Sequence, residues 1–199
     1  GFYPGIHDKR LEPAEALSFY VSTYLERDMR AVINIKDLSK FETFLKLCAG
    51  RAAQILNLSN LANDCGINHN TANSWLSALE ASYIVFLVRP HHANFGKRLI
   101  KAPKLYFTDV GLAANLLGIQ NIKQISHHPL KGAIFENYAV AELLKNRMNL
   151  GNNSNLYFFR DNTGNEVDVI LENGNSVKPV EIKLGSTINE DFFKGLKYY

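Results

Sequence analysis

The 199 residues are 46% apolar and 21% charged, proportions that are ordinary for a globular protein of one large or two small domains. The net charge of +3 comes wholly from residues 1–110, which carry 13 basic and 10 acidic side chains, whereas residues 111–199 carry nine of each. This mild excess permits a local nucleic-acid contact without demanding one, and no apolar run is long enough to span a bilayer.

The cysteines and the first residue bear on compartment and on the extent of the chain. Cys48 and Cys65 form neither a metal-type pair nor a disulfide framework, so we expect a reducing, cytoplasmic setting and no membrane partner. There is no signal peptide and no initiating methionine, and Gly1 is therefore expected to be an internal cut in a longer protein. Composition predicts no oligomeric state.

Residues 1–37 are predicted to be an entry segment and a linker helix. The stretch Gly1–Gly5 is rich in turn residues, and Pro13 stands where a helix can begin, because proline is favoured in the first turn. We expect this helix to run to about Val32, with charges of alternating sign on an exposed surface near its end.

Three helices are predicted next. The first is indicated by four apolar residues at helical spacing: Phe41, Phe44, Leu45 and Cys48. A short helix ends at Gly66, and Asn68 caps a further helix over His69–Glu80. The buried face of that last helix is expected to hold Ala72, Trp75, Leu76 and Leu79. The spacing of the second and third helices is typical of a helix-turn-helix.

Two strands complete the first predicted domain. Tyr83–Val88 and Leu105–Phe107 follow the helices, and helices followed by a β-hairpin indicate a winged helix over residues 38–110. Asp109 is interpreted as the N-cap of a helix that ends at Gly118, not as a catalytic acid. We place the winged-helix-like domain at residues 38–118.

The nucleic-acid-binding candidates lie in two places in this domain. The His69–Glu80 helix offers amides and a hydroxyl for base edges, but no Arg or Lys: Asn70, Thr71 and Asn73. The loop between the two strands is basic and contains no acid, which suits phosphate contacts: Arg89, Lys97, Arg98, Lys101 and Lys104. The same features also suit docking of an acidic protein partner, and both interpretations stay open.

Residues 119–199 are predicted to contain a site rich in carboxylates. A helix over Gly132–Arg147 has a core-facing stripe whose first member is Glu136. A carboxylate aimed at an apolar layer is costly unless it meets a cation or donors, and a metal or Lys183 would serve. The alternative is that Glu136 lies at the edge of the stripe and reaches solvent.

Two further strands carry the other charges. Val167, Val169 and Leu171 alternate with Asp168, which predicts a half-buried strand, and Asn173-Gly174 is a two-residue hairpin signal. With that turn, Asp168 is opposite Pro179, and Glu181 and Lys183 share its face. Oxygen-only carboxylate patches suit Mg²⁺ or Mn²⁺, and a lysine beside them could orient or activate water.

This order of residues resembles the PD-(D/E)xK nuclease superfamily, whose core is a helix, a three-stranded meander, a second helix and a last strand. Leu156–Arg160 would be the first strand and Thr187–Leu196 the second helix, and the last strand would be missing. The resemblance implies that Glu136, Asp168 and Glu181 are metal ligands. It also implies that Asp168, Glu181 and Lys183 are catalytic.

The wider chain resembles the uncharacterised C-terminal domain of a large family of prokaryotic AAA+ ATPases. The motifs that carry this resemblance are Gly1–Pro4, Tyr24–Asp28, Leu79–Val85, Gly96–Leu112 and Phe135-Glu136, in that order. It implies a partner ATPase domain, N-terminal in the same chain, where ATP would bind. The present residues contain no phosphate-binding loop and are not that ATPase domain.

We therefore expect an α+β protein: a helical linker and winged helix followed by a truncated restriction-endonuclease-like α/β core. The expected function is a DNA-engaging module of an AAA+ ATPase with a metal-dependent nuclease-like site. The alternative is a non-catalytic docking or regulatory module. A third possibility keeps the fold without catalysis, and Glu136 is then satisfied by Lys183 as a buried pair.

Overall fold

A computed structural model describes residues 2–25, 27, 35, 37–92, 101–174, 176–185 and 189–199. In these ranges the chain is a mixture of helices and one six-stranded mixed sheet. No helix in them is long and apolar enough to cross a membrane.

The entry segment is helical in short pieces. Helix α1 spans Pro4–Asp8, α2 spans Pro13–Phe19, and a π-helical turn follows over Tyr20–Leu25. Proline at the first turn and the Glu12 side chain, which accepts a hydrogen bond from the Glu15 amide, start α2 where the sequence predicts. The end expected near Val32 lies outside the described residues.

Three helices then pack around one aromatic cluster. They are α3 (Leu38–Gly50), α4 (Leu58–Asp64) and α5 (His69–Ala81), with the two-residue strand β1 (Gln54–Ile55) between the first two. The apolar faces predicted for α3 and α5 are confirmed, because all eight predicted residues are buried. Trp75 meets the rings of Phe41 and Phe44 edge-on at 5.2 and 5.4 Å.

The helix ends predicted from the sequence are also confirmed. Gly66 has φ of +64°, the left-handed conformation that closes a helix, and Asn68 Oδ1 accepts from the Thr71 amide at 2.8 Å. Asp109 caps α6 (Val110–Leu116) in the same way, accepting from the Leu112 amide at 2.8 Å.

The sheet runs through both predicted domains. Its strands are β1, β2 (Val85–Pro90), β3 (Lys104–Phe107), β4 (Leu156–Arg160), β5 (Glu166–Asn173) and β6 (Ser176–Val180), in the spatial order β1-β3-β2-β4-β5-β6. All neighbours are antiparallel except β2 and β4, where Arg89 pairs with Tyr157 in parallel.

Helices α7 (Ile122–His127) and α8 (Lys131–Asn149) connect β3 and α6 to the meander, and α8 packs on β3. A second apolar cluster forms where α8 meets the sheet, with Tyr106, Val140 and Phe158 buried in it. A 3₁₀ turn (Glu190–Phe193) and helix α9 (Lys194–Tyr198) end the chain. The start of the helix predicted over Thr187–Leu196 lies outside the described residues.

Two local predictions about the β5–β6 hairpin are wrong. Asn173 pairs with Ser176 and so belongs to the strand instead of the turn, and Pro179 is opposite Ile170, not Asp168. Gly174 has φ of +57° at the first loop position. The sequence could not separate the two registers, because a slip of two residues keeps every side chain on the same face. Strand β5 is also buried on both faces from Val167 to Ile170, not half-buried.

Candidate functional site

Three of the four predicted site residues contact one another directly, and the fourth, Glu136, joins them through Lys104. Asp168 lies in β5, and Glu181 and Lys183 follow the end of β6. Asp168 Oδ2 accepts from the Ile182 amide at 2.8 Å and lies 3.4 Å from Lys183 Nζ. Lys183 Nζ also donates to Glu181 Oε1. These three side chains are therefore in contact, although Glu181 and Lys183 lie beyond the strand whose face they were expected to share.

Glu136 has different partners from those predicted. Its Oε1 accepts from Lys104 Nζ at 3.0 Å and from the Tyr106 hydroxyl at 2.8 Å. Lys104 and Tyr106 are two residues apart in β3, so their side chains point to the same face and meet α8 together. The expectation that Glu136 is satisfied by Lys183 is replaced by a pairing with Lys104.

Lys104 lies at the centre of the carboxylates. Its Nζ is 2.6 Å from Glu166 Oε1 and 3.9 Å from Asp168 Oδ1, in addition to the bond to Glu136. The side chain is 2% exposed and passes 5.6 Å from the centre of the Phe158 ring. The prediction that Lys104 contacts phosphate is therefore wrong, since an ammonium paired in the interior is not available to a surface ligand.

Asn137 fixes the position of α8 on β3. It is fully buried, and its side chain accepts from the Phe107 amide at 2.7 Å and donates to the Phe107 carbonyl at 2.8 Å. These two bonds satisfy both backbone groups of Phe107 and hold the preceding residue of α8, Glu136, against Tyr106. The geometry of the cluster thus depends on a buried amide.

The protonation tendencies in the cluster follow from burial and charge. Burial raises the pKa of Glu136, an effect that the ammonium of Lys104 opposes and the charge of Asp168 adds to. Burial also raises the pKa of Tyr106 well above its usual range, so its hydroxyl stays a donor. Burial lowers the pKa of Lys104, but the carboxylates of Glu136, Glu166 and Asp168 outweigh it and raise the pKa overall. Lys104 is therefore charged at neutral pH.

The Glu181 side of the cluster is closed by α9. Glu181 Oε2 is buried and has no hydrogen-bond partner within the described part of the chain. A Cβ built on Gly195 would lie 3.4 Å from that oxygen and 2.0 Å from the Glu166 carbonyl oxygen. Only glycine therefore allows α9 to approach this closely. Burial is the main cause that raises the pKa of Glu181.

The residues present do not fit a divalent cation in this arrangement. In the described ranges no group of three or more His, Cys, Asp or Glu is placed to hold a metal. The ammonium of Lys104 is within ion-pair distance of Glu136 and Asp168, and that of Lys183 joins Asp168 to Glu181. The metal-ligand roles expected of Glu136, Asp168 and Glu181 stay predictions. The binding of Mg²⁺ or Mn²⁺ by them also stays a prediction.

The nucleic-acid-binding candidates lie on another part of the molecule. Asn70 and Asn73 are exposed at the start of α5, and Thr71 beside them is half-buried. Lys101 is exposed and Arg89 is half-buried in β2. Lys97 and Arg98 lie outside the described residues. These roles stay predictions.

Sequence reasoning missed Glu166, Tyr106, Asn137 and Lys40. Lys40, near the start of α3, lines a cleft with Asn70 and Thr71, and its Nζ donates to the Gly66 carbonyl at 3.0 Å. The spacing of Lys104 and Tyr106 could have indicated that Lys104 points inward. Residues two apart in a strand share a face, so Lys104 could not face solvent while Tyr106 faced the core. No local pattern pointed to Asn137.

Two family models match the chain. "Domain of unknown function (DUF8612)" matches residues 1–123, and "Domain of unknown function (DUF4143)" matches residues 131–199. The second domain is typically found with AAA ATPase domains. Uncharacterized proteins of Mycobacterium bovis and Mycobacterium tuberculosis are each 29% identical over 168 residues, 84% of this chain. The match spans 37% of the length of each relative. No solved structure matches.

Proposed function

The chain belongs to the DUF8612 family, whose description states no activity, and we propose from its architecture that it is a DNA-engaging module of an AAA+ ATPase. In this proposal residues 38–110 are a winged helix, and residues 119–199 have a restriction-endonuclease-like core. The partner in this proposal is an AAA+ ATPase domain, because the second matched domain is typically found with AAA ATPase domains.

One observation carries the proposal: the order and pairing of the elements from α3 to β3. The chain runs helix, short strand, two helices and two strands, and β3 lies between β1 and β2 in the sheet. We interpret this arrangement as a winged helix, in which the second helix of the helix-turn-helix would enter a groove of the duplex. His69, Asn70 and Asn73 are exposed at the start of α5, as residues of a recognition helix must be.

The side chains at that turn suit base edges. Asn70 and Asn73 can pair with adenine through their amides, and the hydroxyl of Thr71 can donate or accept. Helix α5 has no Arg or Lys, so phosphate contacts must come from beside it. Lys40 lies in the same cleft, with Asp37 as its acidic neighbour, and Lys101 is exposed in the β2–β3 connection. Lys97 and Arg98 belong to that connection in sequence.

The resemblance of the second part rests on its element order. Helix α8 precedes the antiparallel meander β4-β5-β6, and α9 follows, with Asp168 in the middle strand. That order is the one expected from the resemblance to the PD-(D/E)xK core, up to its second helix. In our proposal this core supports the winged helix through the β2–β4 pairing.

A salt series with a labelled duplex tests the proposal. Wild-type protein is expected to lose affinity as salt rises, with the slope reduced by about 0.9 for each phosphate contact removed. Lys97→Ala with Arg98→Ala, and separately Lys40→Ala, should flatten the slope. Asn70→Ala with Asn73→Ala should lower affinity with the slope unchanged. Lys178→Ala, an exposed position on β6 at the far edge of the sheet, is the matched control.

A docking or regulatory module is the second candidate, favoured by the lack of basic residues on α5. Absence of duplex binding even at low salt would support it and would overturn DNA engagement. A measured effect of the module on the ATP hydrolysis of its ATPase domain, in the absence of DNA, is the positive result that docking predicts.

Nuclease activity is a separate prediction with its own assay. Plasmid is incubated with Mg²⁺ or Mn²⁺ and wild-type protein, beside Asp168→Ala and Lys183→Ala. Cleavage that both variants lose would establish the activity. Equal residual cleavage by all three proteins would mean contamination, and the nuclease prediction would be dropped.

A further inference from the structure

Three carboxylates from two elements converge on one ammonium in the interior. Lys104 Nζ is 3.0 Å from Glu136 Oε1 on α8, and 2.6 and 3.9 Å from Glu166 Oε1 and Asp168 Oδ1 on β5. The lysine is 2% exposed, whereas each carboxylate is at least 9% exposed. The cation is thus the most deeply buried member of the group.

The surrounding charges are arranged around that ammonium. Arg160 lies 3.4 Å from the other oxygen of Glu166, and Lys183 pairs with Asp168 on the side away from Lys104. The Tyr106 hydroxyl donates to the Glu136 oxygen that Lys104 also contacts. Each carboxylate is therefore oriented by a second donor while sharing Lys104, as ligands are oriented around a bound ion.

We infer that the ammonium of Lys104 takes the place of a divalent cation among Glu136, Glu166 and Asp168. An ammonium is a compact charge with three donors, enough to contact three carboxylates. A metal could reach these oxygens only by displacing a buried, charged side chain whose own desolvation is already compensated. The inference goes beyond DNA engagement and does not depend on it, because it rests on the contacts of Lys104 alone.

Titration with Mn²⁺ alone, followed by the electron paramagnetic resonance of the free ion, tests this inference. Wild-type protein should leave Mn²⁺ free and show no rise in Tm when the ion is added. Lys104→Ala should bind one Mn²⁺ per chain and regain Tm in a saturable manner. Adding Asp168→Asn to Lys104→Ala should remove that binding, and Lys178→Ala should behave as wild type.

If Lys104→Ala does not fold, a further variant still tests the inference. Replacing two of the carboxylates by neutral amides should then restore folding. The variant Lys104→Ala with Glu136→Gln and Glu166→Gln removes the cation together with two of its counter-charges. It is expected to unfold cooperatively without any metal. Failure of this triple variant to fold would overturn the inference, since Lys104 would then serve packing and not charge.

Two further results would overturn it. One is stoichiometric Mn²⁺ binding by wild-type protein that Asp168→Asn abolishes, which would mean that a metal and Lys104 coexist. The other is a folded Lys104→Ala protein that takes up no Mn²⁺. Neither result bears on duplex binding, so the two proposals fail separately.

Discussion

The first turn of α5 and the Lys104 cluster use polar residues in opposite ways. The turn exposes uncharged amides, Asn70 and Asn73, to solvent. The cluster buries full charges and pairs them, with Lys104 at its centre. The comparison shows that formal charge in a sequence does not tell which residues meet an outside partner. In this chain a lysine expected at the surface is buried and paired with carboxylates.

The largest expected effect is at Lys104. Lys104→Met leaves Glu136 and Glu166 without their shared cation in a buried setting, which should lower the free energy of unfolding by about 3–5 kcal/mol. Urea denaturation measures it, with Lys178→Met on the exposed edge strand as the control. If the unfolding free energy of Lys104→Met lies within about 0.5 kcal/mol of that of the control, the contrast between exposed amides and buried, paired charges is lost.

The next effect is at the amide that docks α8. Asn137→Leu keeps roughly the same volume but leaves the amide and carbonyl of Phe107 unpaired, each at a cost of about 1–3 kcal/mol. We expect a total loss of at least about 2 kcal/mol, the lower end of the two costs added together, in urea denaturation. Asn146→Leu, at an exposed position of the same helix, should change little. Equal stability of the two variants would show that the Asn137 bonds do not position Glu136.

A smaller effect is expected where α9 covers the cluster. Gly195→Ala places a Cβ 2.0 Å from the Glu166 carbonyl oxygen, so α9 must move away at a cost of about 1–3 kcal/mol. Hydrogen exchange of residues 190–199 should quicken. Gly132→Ala on α8, where a Cβ meets nothing within 4 Å, is the control. Unchanged exchange in Gly195→Ala would contradict the close approach of α9.

The smallest effect is on pH dependence. Because the pKa of Glu136 is raised above its ordinary value of 4.5 in the folded protein, the folded state binds more protons than the unfolded state above that pH. The contribution of Glu136 is therefore favourable at low pH and is lost as pH rises from 4.5 through the raised pKa. Glu136→Gln should show a shallower decline of unfolding free energy over this range. A steeper decline of unfolding free energy in Glu136→Gln would contradict a raised pKa for Glu136.

The helices were predictable because local rules determine them. The spacing of four apolar residues allows only one buried helix face: Phe41, Phe44, Leu45 and Cys48. Asn68 and Asp109 form N-caps at the positions that their side chains predict. The proximity of Glu181 and Lys183 to Asp168 was predictable from the hairpin, although both residues lie just beyond the end of β6.

The centre of the cluster was not predictable from local pattern. Lys104 stands in sequence beside a run of basic residues, which favoured a surface role, and its partners are 32 to 64 positions away. Only the packing of α8 and β5 against β3 decides that this lysine faces inward. Glu166 was overlooked for the same reason, since its role depends on Lys104.

Duplex binding in the presence of EDTA tests the account most directly. Wild-type protein should bind labelled duplex with a clear loss of affinity as salt rises, with no metal present, and Asp168→Ala should bind equally well. No binding at low salt, or binding that requires added Mg²⁺ and is lost in Asp168→Ala, would contradict a winged helix that engages DNA beside a carboxylate cluster held by Lys104.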